Sequence, residues 1–282
     1  MRIKTSVACF FFSAIILCLS SAAEDDSQTV PLQDLPSAVQ TAIKRQLGTA
    51  TLGEVEREGQ GEEIIYTVTL TCPDGEESYF TLDHGGSLLS VEVQLKDLVP
   101  ALQQAIKSQL GSGTLTSIEK SIDEGEVNYD IAFTRKDGAE RSFTLDSKGT
   151  LTSVQLGMEE VPAIVRKVIE EHSTQGKPGE IYKLIDDGEV SYSIELQQGK
   201  KNRELAVTAS GKVESMQKFM HELPGPAQKT IREQVGAGKI LRIDKSFERL
   251  EGVEPFRVEA RKDGKLFIFN VGPKGRYLGQ DN

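Results

Sequence analysis

The chain has 282 residues, a formal net charge of −10 and 38% apolar residues, and this length suits two to four domains. The acidic balance argues against nucleic acid as a partner, because phosphate binding needs an excess of Lys and Arg. Two of the three cysteines, Cys9 and Cys18, lie in an apolar leader, which leaves Cys72 alone and excludes an intramolecular disulfide from the remainder.

Arg2 and Lys4 precede a stretch from residue 5 to 23 without a charged residue, closed by Ser21, Ala22 and Ala23 before Glu24. This is the pattern of a secretory signal peptide over residues 1–23, with cleavage after Ala23. Residues 24–30 form a short acidic and polar segment, and no later stretch approaches the roughly 20 apolar residues of a spanning helix. The mature chain is therefore expected to be secreted or periplasmic, without membrane insertion. Acid is shared unevenly: residues 218–282 hold 13 Lys and Arg against 9 Asp and Glu, so the acidic excess lies upstream.

From residue 31 onward one pattern recurs. Val39, Ala42, Ile43, Gln46 and Leu47 fall at the spacing of one helical face, between Pro36 and Gly48. Ile43 has counterparts at Ile106, Ile169 and Ile231, and Gly48 at Gly111 and Gly236. The third helix has His172 and Ser173 instead of a Gly and is expected to end differently. A first strand follows around Val55, Ile118, Ile181 and Ile243. The second strand alternates Tyr66, Val68 and Leu70, then Tyr129, Ile131 and Phe133, then Tyr192, Ile194 and Leu196, then Phe256, Val258 and Ala260. Intervening residues such as Thr67, Asp130, Ser193, Glu195 and Arg257 mark an opposite face expected to be mostly wet.

Asp74-Gly75, Asp137-Gly138 and Asp263-Gly264 then supply tight hairpin turns. The third strand and the turn after it are the most repetitive part. Residues 80–91 and 143–154 are identical at eight of twelve positions, 63 residues apart, with weaker echoes after Leu205 and Phe269. The fold class expected is α+β, as four tandem units of one helix followed by a four-stranded antiparallel β-meander. Their bounds are 31–95, 96–157, 158–217 and 218–282. Each is too small to be more than marginally stable alone, so neighbours should pack or share a sheet.

A helix opened by Leu-Pro or Val-Pro, a strand, an acidic-Gly turn such as Asp187-Gly188 running into Tyr192, then Asp-Gly and a Gly-x-Leu/Val close, resembles the PepSY and PepSY-like domains of secreted bacterial proteins. The resemblance implies a non-catalytic fold similar to that of a β-lactamase inhibitor protein, and a role in inhibiting or regulating peptidases of the cell envelope. It brings no catalytic motif to these positions.

The residues themselves offer little chemistry. His84 and His172 stand where other copies carry Ser147 or Gln46, and both read as surface substitutions. His221-Glu222 opens like a zinc motif, but Pro224 and Gly225 break the helix that would align a second ligand. Gly236-Ala237-Gly238-Lys239 lacks the Ser or Thr of a phosphate loop and reads as a helix stop. Asp123, Glu124 and Glu126, or Asp186, Asp187 and Glu189, lack the alternating oxygens of a calcium loop. Cys72 reads as a buried or half-buried thiol acting as a small hydrophobe.

The expectation is thus a binding protein, not an enzyme, with no cofactor, no metal site and no catalytic residue. Its partner would be a protein, and the resemblance points to a secreted peptidase. The sheet's polar face, including Asp130, Ser193 and Glu195, is the place for that contact. The alternative is a structural or cation-binding envelope protein with no single protein partner.

Overall fold

The computed structural model describes residues 27–59, 64–123, 125–173, 177–199, 201–262 and 264–281. The leader, with its cleavage after Ala23, lies outside them, as do Glu124 and Asp263 of the last expected Asp-Gly turn. A two-residue strand β1 (Gln28–Thr29) precedes helix α1 (Ser37–Leu47) and strands β2 (Thr51–Glu58), β3 (Ile65–Thr71), β4 (Glu77–Asp83) and β5 (Leu88–Glu92). Helix α2 (Pro100–Leu110) is followed by β6 (Thr114–Asp123), β7 (Glu126–Thr134), β8 (Glu140–Asp146) and β9 (Leu151–Leu156). Helix α3 (Ala163–His172) is followed by β10 (Lys177–Asp186), β11 (Glu189–Gln198), β12 (Lys201–Thr208) and β13 (Val213–Gln217). Helix α4 (Gly225–Val235) is followed by β14 (Lys239–Ser246), β15 (Phe256–Lys262), β16 (Lys265–Val271) and β17 (Tyr277–Asp281).

The strands form one 17-stranded sheet in which each pairs antiparallel with its neighbours in the chain. The sheet is not interrupted where a helix intervenes: β5 pairs with β6, β9 with β10 and β13 with β14. The protein is a mixed α and β fold dominated by this antiparallel sheet. Among the described residues no helix is long and apolar enough to cross a membrane.

Each helix starts where the Leu-Pro or Val-Pro signal places it, because the residue before Pro is held extended. One side chain per helix secures that entry: Gln40 donates to the Leu35 carbonyl (2.9 Å), Gln103 to Leu98 (2.8 Å), Arg166 to Val161 (3.0 Å) and Gln228 to Leu223 (2.8 Å). At the other end Gly48, Gly111 and Gly236 take positive φ, whereas α3 stops at Ser173 with φ −84° and the Ser173 hydroxyl donates to the Ile169 carbonyl.

The helices lie on one side of the sheet, and four separate apolar cores form there. Val39 and Ile43 meet Val55, Tyr66, Val68, Phe80 and Leu82; Leu102 and Ile106 meet Ile118, Ile131, Phe143 and Leu145. Val165 and Ile169 meet Ile181, Tyr192, Ile194 and Leu205; Ala227 and Ile231 meet Ile243, Val258 and Phe269. Fully burying an Ile or Phe stabilises by about 1.5–3 kcal/mol, so these small clusters hold the helices down. The turn after β4 contributes as well: Gly86 (φ +81°) runs under the first turn of α1, where a Cβ would meet the Ala38 carbonyl oxygen at 2.8 Å. Between cores, Arg203 of β12 pairs with Glu222 (2.6 Å) of the segment before α4, and Arg135 pairs with Glu160 (2.8 Å) before α3.

Candidate functional site

With the described helices on one side, alternation sends the intervening residue of every strand to the other side, which none of the described helices covers. The three residues singled out from the sequence are all there. Asp130 is on β7 and Ser193 and Glu195 are on β11, four strands away, or about 19 Å at the usual strand spacing. They share a face without forming one compact site.

This face is less wet than alternation suggests. Glu119 is only 6% exposed, Ser153 1% and Glu259 4%, while Asp130, Ser193 and Glu195 are half-buried. Strands about 4.8 Å apart let long polar side chains shield one another, which the pattern along a single strand does not reveal. Asp130 accepts hydrogen bonds from Thr144 Oγ1 (2.8 Å) and Ser121 Oγ (3.0 Å), and Thr144 in turn accepts one from Ser153 Oγ (3.0 Å). Ser193 donates to Glu204 Oε1 (2.9 Å).

The face also carries carboxylates directly opposite one another. Glu92 of β5 is opposite Glu119 of β6, Glu119 is opposite Asp130 of β7, and Glu195 of β11 is opposite Glu204 of β12. Among the described residues Glu92, Glu119, Asp130 and Glu195 make no ion pair. Burial pushes all four carboxyls above their ordinary range; a neighbouring carboxylate adds to the effect on Glu92, Glu119 and Glu195, and hydroxyl donors offset part of it at Asp130. The Tyr79 hydroxyl donates to Glu119 (3.3 Å) and that of Tyr182 to Glu180 (3.1 Å). Burial and these carboxylates push both phenols up, which keeps them protonated as donors.

Beyond β13 the charge pattern changes. Arg242 of β14 holds Asp244 through two hydrogen bonds (2.6 and 2.9 Å) and reaches back to Glu204 of β12 (2.5 Å), and Arg257 pairs with Glu259. Glu92, Glu119, Glu204 and Arg242 were not singled out from the sequence. The available signal was adjacency: Glu119 follows the buried Ile118, and Arg242 precedes the buried Ile243.

The other candidates fall away from one another. His84 is an exposed turn residue, the His172 ring meets the Val168 carbonyl (2.9 Å) at the end of α3, and His221 stacks on Phe219. Glu222 is taken up by Arg203 and by the Phe219 backbone N–H (2.8 Å). Among the described residues no three His, Cys, Asp or Glu are grouped to hold a metal ion. Cys72 is half-buried beside Ser78 (3.7 Å).

A protein-family model described as beta-lactamase-inhibitor-like, PepSY-like matches residues 23–90 and 128–215, more than half of the chain. The chain belongs to the PepSY-like family. Solved structures similar to parts of this PepSY-like protein include a BLIP-like protein from Bacteroides fragilis, 20% identical, covering 43% of this chain and 84% of that one at a TM-score of 0.31. A candidate calcium-regulated periplasmic protein from Bacteroides thetaiotaomicron is 15% identical and covers 47% and 98% at 0.32. The YpeB C-terminal domain of Bacillus megaterium is 12% identical and covers 68% and 100% at 0.19. No curated protein matches the chain.

Proposed function

We propose that this PepSY-like chain is a secreted or periplasmic, non-catalytic protein-binding protein that presents its uncovered sheet face to a protein partner. On this reading the leader is removed after Ala23 and the remainder is four tandem units with the bounds 31–95, 96–157, 158–217 and 218–282. The recurrence of helix, four strands and a private apolar core supports the units. The observation that carries the binding role is the face itself: one side of a continuous sheet, left open by the described helices and floored by half-buried polar groups that are already fixed by hydrogen bonds. Preorganised polar floors lose little entropy on docking. A secreted peptidase is the partner class that the family resemblance implies, and inhibition or regulation its consequence.

The test uses residues 24–282 as bait in the native secretome, read by quantitative mass spectrometry, beside the same bait carrying Asp130→Lys, Ser193→Lys and Glu195→Lys. The reading expects a protein captured by the first bait and lost from the second, with unchanged circular dichroism. Equal capture by both would refute the sheet-face contact. The cation-binding alternative draws on the unpaired carboxylates of this face, and a saturable micromolar calcium isotherm in calorimetry is the result that favours it.

A further inference from the structure

The open face has an uneven charge pattern. In β2 through β13 the basic residues, with one exception, stand on the core side: Arg57 faces Tyr66, Lys120 faces Tyr129, Arg141 faces Phe133, Lys183 faces Tyr192 and Arg203 faces Leu196. Lys201, two residues before Arg203, shares that side. Among the described strand residues Lys177, at the start of β10, is the one Lys or Arg of β2–β13 on the open face, opposite Gln197. The same face holds Glu92, Glu119, Asp130, Glu180, Glu195 and Glu204 along its centre. Like charges directly opposite are destabilising, so the Glu92–Glu119–Asp130 row is a cost that the free protein carries.

The end of the same sheet displays the complement. Asp244 follows the buried Ile243 and lies opposite Arg257, which precedes the buried Val258. Glu119 follows the buried Ile118 and lies opposite Asp130, which precedes the buried Ile131. The two places correspond strand for strand, but one is an acid facing an Arg and the other an acid facing an acid. Arg242, the residue before Ile243, has Glu180 in the corresponding position before Ile181. Where the sheet reaches β14, a guanidinium therefore supplies what the earlier strands lack, and it satisfies Glu204 of the preceding part as well.

We propose that the open face of β5 through β12 docks a basic protein surface, whose Arg or Lys side chains occupy the positions over Glu92, Glu119, Asp130 and Glu195 that Arg242 and Arg257 fill intramolecularly farther along the sheet. This rests on the protein-binding reading and adds the charge of the partner. Docked cations relieve the carboxylate row, so binding strengthens as salt falls and as the buried carboxyls ionise.

The experiment uses labelled nona-arginine as the probe and fluorescence anisotropy of residues 24–282 at 25 and 150 mM NaCl. A face variant (Glu92→Gln, Glu119→Gln, Asp130→Asn, Glu195→Gln) is compared with a charge-matched control on exposed helix-side acids (Asp34→Asn, Asp97→Asn, Glu170→Gln, Glu171→Gln). The expected result is a loss of at least tenfold for the face variant and under threefold for the control, with the single changes Glu92→Gln and Glu195→Gln each showing part of the loss. Equal losses would mean that overall charge alone attracts the probe and would overturn the proposal. So would saturable displacement of the probe by micromolar calcium, or salt-sensitive self-association that consumes the face. If a protein captured by the wild-type bait is lost on Ser193→Trp yet retained by the neutralised face variant, the protein-binding reading stands and the basic-partner assignment fails.

Discussion

Gly86→Ala tests how the helix is seated on the sheet. Two costs apply to this substitution. The first is conformational: at φ +81° an L-residue pays about 1–2 kcal/mol. The second is steric, because the new Cβ would lie 2.8 Å from the Ala38 carbonyl oxygen and 2.9 Å from its carbon, both backbone atoms of α1 that can yield only if the helix lifts from Val39 and Ile43. Overpacking of this kind costs about 1–3 kcal/mol more. Gly138, at φ +86° with nothing within 4 Å of its Cβ position, carries the first cost without the second. Urea denaturation should therefore place Gly86→Ala about 2–5 kcal/mol below wild type and Gly138→Ala about 1–2 kcal/mol below it. Equal losses would show that the turn does not bear on the helix, and the seating of α1 would have to rest on its apolar contacts alone.

Glu119→Gln should raise stability at neutral pH by about 0.5–1 kcal/mol, the scale of a like-charge cross-strand pair. Since burial raises the folded-state pKa of Glu119, the folded protein holds its proton more tightly than the unfolded chain does. Wild type should therefore gain stability as pH falls through the window from that raised value to the ordinary Glu value, and the advantage of the Gln variant should vanish below it, as followed by thermal melts across pH. Arg242→Met removes the guanidinium that hydrogen-bonds Asp244, 5% exposed, and should cost about 3 kcal/mol in urea denaturation, with much of the loss recovered by adding Asp244→Asn. Ile106→Ala, at a fully buried position, should cost about 2–5 kcal/mol. Hydrogen exchange should show faster opening concentrated in α2 and β6–β9; uniform acceleration across the sheet would contradict separate cores.

Much of the architecture is legible from local chemistry. Pro36 and Gly48 bound α1 because each acts on its own backbone, and the alternation at Tyr66, Val68 and Leu70 reports a core that lies directly against it. Ser173 in place of a Gly correctly marks the different end of α3. The continuity of the sheet across each helix is not legible, because the β5–β6, β9–β10 and β13–β14 pairings are backbone contacts that leave no side-chain signature. The same limit hides the carboxylate row. Asp130 stands out along its own strand, but that Glu119 faces it follows only from the register, which a bulge between Leu115 and Ser117 shifts by one residue. The expectation of a wet face fails for the related reason that shielding comes from Tyr79, Thr144 and Ser153 on neighbouring strands.

The most direct measurement is zero-length carbodiimide cross-linking of residues 24–282 to the protein that it captures, with the joined peptides identified by mass spectrometry. Lysines of the partner should be coupled to carboxylates of the open face, with Glu92, Glu195 and Glu204 foremost because they are half-buried rather than sealed. Coupling confined to Asp34, Asp97, Glu170 and Glu171 on the helix side would contradict the docking of a basic partner on the sheet.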